Sequence, residues 1–171
     1  MGRKNYLIEG GSGTGKTAVC DELRRRGYHA INGDRELAYQ GDPETGEPLA
    51  GITGVSVHHH HLWRVDDVKA LTEDRREAVT FFCGGSRNLS KFIELFDAVF
   101  VLEVDLETLR RRLDARPKDE WGGRQAERKL IERLHGTREE IPSGAIAIDA
   151  TAPLQSVVDD ILHRTGTGSG S

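Results

Sequence analysis

Eight consecutive residues, Gly10-Gly11-Ser12-Gly13-Thr14-Gly15-Lys16-Thr17, carry the sharpest chemical signal in the chain. They follow Tyr6-Leu7-Ile8-Glu9, a short apolar run that reads as a strand. They precede Ala18-Val19-Cys20-Asp21-Glu22-Leu23-Arg24-Arg25-Arg26, which reads as a helix. G-x-x-x-x-G-K-[ST] between strand and helix predicts a phosphate cradle. Its glycines let the backbone turn sharply and aim N–H groups inward with no side chain in the way. The helix start adds unpaired N–H groups and the positive end of its dipole. Lys16 can reach β- and γ-phosphates as a point charge, and Thr17 can offer its hydroxyl to Mg²⁺. The predicted nucleotide contacts here are Gly11, Ser12, Gly13, Thr14, Gly15, Lys16 and Thr17.

Three further constellations fall where chemistry is expected. Asp34 lies just past a second apolar run, Tyr28-His29-Ala30-Ile31. A carboxylate there can accept a proton from a substrate hydroxyl, orient it, or hold Mg²⁺ through water. Gly84-Gly85-Ser86-Arg87 follows the continuous apolar run Ala78 to Cys83. Paired glycines permit close backbone approach to a ligand, and Arg87 can grip a carboxylate or phosphate. Arginines crowd the segment after the next strand: Arg110, Arg111, Arg112, Arg116 and Arg124. Fixed cations stabilise charge on a transferring phosphoryl group, so Arg112, Arg116 and Arg124 are candidates for the active site. Pro117, Gly122 and Gly123 suit a lid between Arg116 and Arg124.

Other features read as structural. His58-His59-His60-His61 is interior to the chain, and adjacent residues do not converge on one metal from a helix or strand. It is expected to be a surface or substrate-loop segment, one of whose histidines can touch substrate. Val101-Leu102-Glu103-Val104-Asp105 resembles a Walker B strand, but Asp105 reads as a helix N-cap. Cys20 and Cys83 are the only cysteines and lie far apart in sequence, so buried free thiols are expected.

The elements that must position these groups alternate. Strands are predicted at Tyr6–Glu9, Tyr28–Ile31, Ala78–Cys83, Ala98–Val104 and Ala145–Ile148. Helices are predicted over Ala18–Arg26, from Glu36, over Trp63–Arg76, Leu89–Phe96, from Leu106, over Gln125–Glu140 and from Pro153. Gly41 to Pro48 is dense in turn formers, and Leu49 to Val57 continues an irregular loop. Alternation implies a parallel sheet with helices on both faces, an α/β fold whose ligands bind beyond the carboxyl ends of the strands. One domain, residues 1–164, is expected, with 165–171 a disordered tail of glycine, serine and threonine. Apolar residues make up 36%, charged residues 30%, and the net charge is -4. That balance suits a soluble globular protein and argues against nucleic acid or an anionic membrane as partner. No apolar leader or membrane-length run is visible, so a cytoplasmic location is expected.

Taken with these motifs, the chain resembles the small P-loop kinases of the adenylate kinase, shikimate kinase and gluconate kinase group, from the P-loop through Ile148-Asp149-Ala150-Thr151-Ala152-Pro153. The resemblance implies a three-layer P-loop NTPase fold with a five-stranded parallel sheet in order 2-3-1-4-5 and an arginine-rich lid. It implies ATP with Mg²⁺ and transfer of the γ-phosphate to a small-molecule acceptor. Asp34 would face the acceptor hydroxyl, and Gly84, Gly85 and Arg87 resemble the substrate loop of shikimate kinases. Arg112 resembles the arginine that packs on adenine, Arg116 or Arg124 the lid arginine, and Arg138 an arginine that meets substrate. Thr151 and Pro153 resemble the loop bordering adenine. Asn32 stands where these kinases carry their first aspartate after strand 2. The Gly41–His61 loop does not match shikimate kinases, so shikimate is not the expected acceptor.

Three functions stay open on sequence: a small-molecule kinase, a nucleoside or nucleoside-monophosphate kinase in which Arg35 and Arg87 grip a phosphate, and a nucleotide-dependent ATPase or switch acting on a protein partner. The oligomeric state stays open between monomer and homodimer.

Overall fold

Five successive residues of the first strand, β1 (Lys4–Gly10), are buried, Asn5 through Glu9. A strand covered on both faces belongs at the centre of a parallel sheet, and β1 occupies that place. The computed structural model describes residues 4–11, 13–74, 76–117, 121–137, 141, 142 and 144–166. β1 pairs in parallel with β5 (Val79–Cys83) on one side and β6 (Ala98–Glu103) on the other. β2 (His29–Asn32) extends the sheet beyond β5, and β7 (Ile146–Asp149) beyond β6. The order is therefore β2-β5-β1-β6-β7. Counted within this sheet alone it runs 2-3-1-4-5, the expected arrangement. The labels along the chain differ because two short strands intervene.

Those two strands are a correction. Glu36–Tyr39 was expected to open a helix, but α2 covers only Gly33–Glu36 and the chain then extends as β3 (Ala38–Gln40). β3 pairs antiparallel with β4 (His61–Trp63), so Trp63 does not open a helix either. The turn-rich loop folds back between them: Tyr39 Oη donates to the Gly46 carbonyl at 2.7 Å, and Gly41 bridges Pro48. A short α3 (Ser56–His59) precedes β4, and α4 (Val65–Glu73) follows it with Asp66 and Asp67 in its first turn. Leu89–Phe96 forms two 3-10 turns, Leu89–Lys91 and Ile93–Leu95, in place of one helix. Phe92 breaks the run with φ -142, its ring stacked on Trp63 at 5.8 Å.

Alternation along β1 divides the core in two. Tyr6 and Ile8 face α1 (Lys16–Arg25), α5 (Leu106–Asp114), α6 (Gln125–Thr137) and α7 (Leu154–Thr165), through Val19, Leu23, Leu109, Ile131, Val158 and Ile161. Leu7 faces the other layer, built from Leu37, Trp63, Val68, Phe92 and Phe96. Cys20 and Cys83 are free and buried in the first layer. α7 includes Thr165 and is capped by Gly166 in left-handed geometry, φ 73. Thr165 and Gly166, expected in the tail, thus belong to α7 and its cap, and 167–171 lie outside the described residues. No helix among the described residues is long and apolar enough to cross a membrane.

Candidate active site

All five parallel strands end on one edge, and each feeds a segment singled out by its residues. β1 leads into the glycine loop, β2 into α2 with Asp34, β5 into Gly84–Asn88, β6 into Asp105, and β7 into Thr151.

The loop after β1 is main chain curled on itself. Gly15 sits at the N-cap of α1 with φ 102, a left-handed geometry that favours glycine. Thr14 is buried and donates its hydroxyl to the Gly11 carbonyl at 2.7 Å. Lys16 Nζ lies 2.5 Å from the Gly10 carbonyl oxygen and 3.4 Å from that of Gly11. Thr17 is exposed on the first turn of α1. Ser12 lies outside the described residues. Arg112 reaches this loop from α5: Nη1 donates to the Gly13 carbonyl at 3.0 Å and Nη2 to the Ala150 carbonyl at 3.1 Å. One guanidinium thus joins the glycine loop to the segment after β7. In that segment Thr151 and Pro153 are exposed, and Pro153 is the N-cap of α7. Asp105 is the N-cap of α5, accepting from the Thr108 N–H at 2.7 Å.

A second cluster gathers round Asp34, and side chains build it. Asp34 Oδ1 accepts from His61 Nε2 at 2.9 Å, Trp63 Nε1 at 3.3 Å and the Gly85 N–H at 3.3 Å. Among the described residues no donor reaches Oδ2. Burial by itself would raise the Asp34 pKa. The hydrogen bond from His61, the charge of Lys16 and the remaining donors outweigh it, and the carboxyl is held below its ordinary range. A third of the side chain stays exposed, with 34% of its surface accessible. Gly84 has φ +139, and a Cβ there would lie 2.6 Å from Asp34 Oδ1 and 2.7 Å from Trp63 Cζ2. The paired glycines therefore make room for Asp34 and the Trp63 indole. Gly85 also lies against the buried Glu9 carboxylate, 3.2 Å from its Cβ position to Oε1.

The ribbon is fastened to this loop by side chain to main chain bonds. Asn88 Nδ2 donates to the Trp63 carbonyl at 3.0 Å, and Asn88 Oδ1 accepts from the Trp63 N–H at 3.2 Å. The Asn88 amide thus pairs with Trp63 as a neighbouring strand would. The Arg87 N–H donates to the His61 carbonyl at 2.9 Å. His61, Trp63 and Asn88 are the site residues that sequence reasoning missed. Their only signal was the turn-rich stretch before the histidines, which is the loop of a hairpin. The four histidines diverge: His58 stacks on Trp121, His60 Nδ1 meets the Ser56 carbonyl, His59 is exposed, and His61 turns to Asp34.

The remaining basic candidates are dispersed. Arg116 Nη1 donates to the Trp121 carbonyl at 2.9 Å, inside the connector between α5 and α6. Trp121 Nε1 donates to the Gly54 carbonyl at 2.9 Å, and its ring stacks on His58 at 5.9 Å. The connector is thereby clasped to the loop before β4. Arg35 and Arg124 are exposed, and the hydrogen bonds to Asp34 involve neither. Arg138 lies outside the described residues.

No protein-family model matches the sequence, and no curated protein matches it. The fold is nonetheless shared with solved small kinases. A shikimate kinase from Acinetobacter baumannii, solved in complex with shikimate, matches with TM-score 0.66 at 18% identity, over 99% of this chain and 96% of that one. A sugar kinase from Janibacter sp. HTCC2649 matches with TM-score 0.56 at 18% identity, over 97% and 96%. A gluconokinase from Sinorhizobium meliloti 1021 matches with TM-score 0.50 at 22% identity, over 94% and 90%. At such identities the likeness establishes the shared fold.

Proposed function

We propose that this protein is an ATP-dependent phosphotransferase that moves the γ-phosphate to a hydroxyl of a small-molecule acceptor. The reading rests on one observation: a glycine loop ending in Lys16-Thr17 and a carboxylate with one oxygen fully engaged, Asp34, stand on the same strand edge. The N–H groups of Gly11 to Lys16 and the Lys16 ammonium hold the β- and γ-phosphates. Arg112, fixed between Gly13 and Ala150, flanks the base together with Thr151 and Pro153. The loop's left-handed Gly15 and the exposed Thr17 hydroxyl fit Mg²⁺ with the nucleotide. Thr17 would hold Mg²⁺, with Asp34 a second candidate through water, and the ion would supply charge neutralisation at the phosphate oxygens.

Asp34 receives the acceptor hydroxyl at Oδ2. The hydroxyl oxygen bonds to the γ-phosphorus, the bond from that phosphorus to the bridging oxygen breaks, and ADP leaves. The hydroxyl proton passes to Oδ2 and on to solvent. A carboxyl with a depressed pKa is a weak base, which suits a loose transition state where orientation matters more than deprotonation. Gly85, Arg87, Arg35 and Arg138 are the proposed acceptor contacts, and Arg116 and Arg124 the cations for the transferring charge. A nucleotide switch of the Walker B type has less support, since Asp105 is engaged as a helix cap.

The test combines calorimetry of MgATP with ADP release across polyols, sugar acids, nucleosides and nucleoside monophosphates. Lys16→Ala is expected to weaken ATP binding, and Asp34→Asn to abolish acceptor-dependent release. Undiminished ATP affinity in the first variant, or full transfer in the second, overturns the reading.

A further inference from the structure

Asp34 Oδ1 accepts three hydrogen bonds. The His61 imidazole makes the shortest of them, 2.9 Å against 3.3 Å for Trp63 and for Gly85. A donor aimed at one oxygen fixes the orientation of the carboxylate and leaves the other oxygen to a substrate.

The donor is also held firmly. His61 belongs to β4, which pairs with β3 through Gln40. Its carbonyl accepts from the Arg87 N–H at 2.9 Å, and two residues on, the Trp63 main chain is gripped at both ends by Asn88. The His61 ring is three-quarters buried, 25% accessible. Asp34 and Arg87, singled out on two separate stretches of sequence, thus both bond to this one residue. A histidine serving only as core filler has no reason to end on the carboxylate at the mouth of the site.

We propose that His61 is a positioning residue: it holds Asp34 Oδ1 against the β3–β4 hairpin, so that Oδ2 faces the acceptor hydroxyl. The inference rests on the kinase reading for its chemical meaning, but the positioning itself can be read without it.

The experiment compares full-length wild type with His61→Leu and His61→Gln, whose amide Nε2 can take the place of the ring nitrogen. Aspartate carboxyl carbons are ¹³C-labelled, and the Asp34 signal is identified by its loss in Asp34→Asn. In His61→Leu the Asp34 carboxyl is expected to titrate at higher pH than in wild type, and His61→Gln to restore most of the difference. In MgATP turnover with the acceptor that the panel selects, kcat should fall about tenfold in His61→Leu with KM for ATP changed less than about twofold, and recover in His61→Gln. Thermal melting of both variants checks that they fold; if His61→Leu does not, the same readouts are made on His61→Phe. An Asp34 titration unmoved by removal of the ring overturns the proposal, whether or not the protein transfers phosphate. A shifted titration with no ADP release for any acceptor of the panel keeps the positioning and overturns only the kinase reading.

Discussion

The glycine loop after β1 and the seat around Asp34 occupy one sheet edge, yet they are made of different material. The loop is contiguous main chain: eight residues supply its carbonyls, its N–H groups and its helix start. The seat is made of side chains drawn from α2, β4 and the turn after β5, joined by Asp34, His61, Trp63 and Asn88. On the proposed function, main chain answers to a ligand part that every substrate of the site would share, a polyphosphate. Side chains from distant stretches can be exchanged singly, and so would fit one acceptor among many. The common half of the proposed reaction would then lie where change is hardest, and the selective half where change is easiest.

Substitutions can break or sharpen that contrast. Lys16→Ala should lower steady-state transfer about a thousandfold, about 4 kcal/mol at the transition state, with the melting midpoint little changed. A large loss of stability there would show that the loop is structural like the seat. Gly84→Ala should do the reverse. Its Cβ would meet Asp34 Oδ1 at 2.6 Å and Trp63 Cζ2 at 2.7 Å with φ at +139. A cost of about 3 kcal/mol in urea denaturation is expected, with ATP affinity by calorimetry within about twofold of wild type. Asn88→Ala leaves the buried Trp63 N–H and carbonyl without their partner. It should cost about 2 kcal/mol in the same denaturation assay. Arg112→Ala removes the tie between Gly13 and Ala150. ATP affinity should fall about tenfold, with acceptor KM unmoved.

The smallest effect comes from Glu22 on α1, bonded to Arg25 and Arg26. Hydrogen bonds from Arg25 and then Arg26 lower the Glu22 pKa to about 2. A depressed carboxyl stabilises the fold above its unfolded pKa of about 4.3, and that contribution disappears as pH falls through the folded value. The melting gap between wild type and Glu22→Gln should therefore be constant near neutrality and close between about pH 4.5 and pH 2.

Locality also decides what could be read from the chain. The glycine motif was legible because its parts are neighbours in sequence, and the parallel sheet because a run such as Val79–Cys83 is apolar at every position but Thr80. Asp34, Gly84 and Arg87 were legible as candidates because each ends an element, and strand ends are where α/β sheets bind ligands. Their mutual arrangement was not. β3 and β4 are three residues each, too short for an alternating pattern to declare itself. Trp63 read as the start of an amphipathic helix, since Val65, Val68 and Leu71 follow at helical spacing. What holds it in a strand is the amide of Asn88, 25 residues away. His61 was hidden for the same reason: its partner, Asp34, is 27 residues back.

The chain has two tryptophans. Trp63 lies under the carboxylate with its indole N–H on Asp34, and Trp121 lies in the connector against His58. The seat and the connector thus each carry a built-in fluorophore. A single-indole variant, Trp63→Phe or Trp121→Phe, assigns the emission change seen on mixing to one of the two, and stopped-flow traces then follow the seat and the connector separately, with no dye attached.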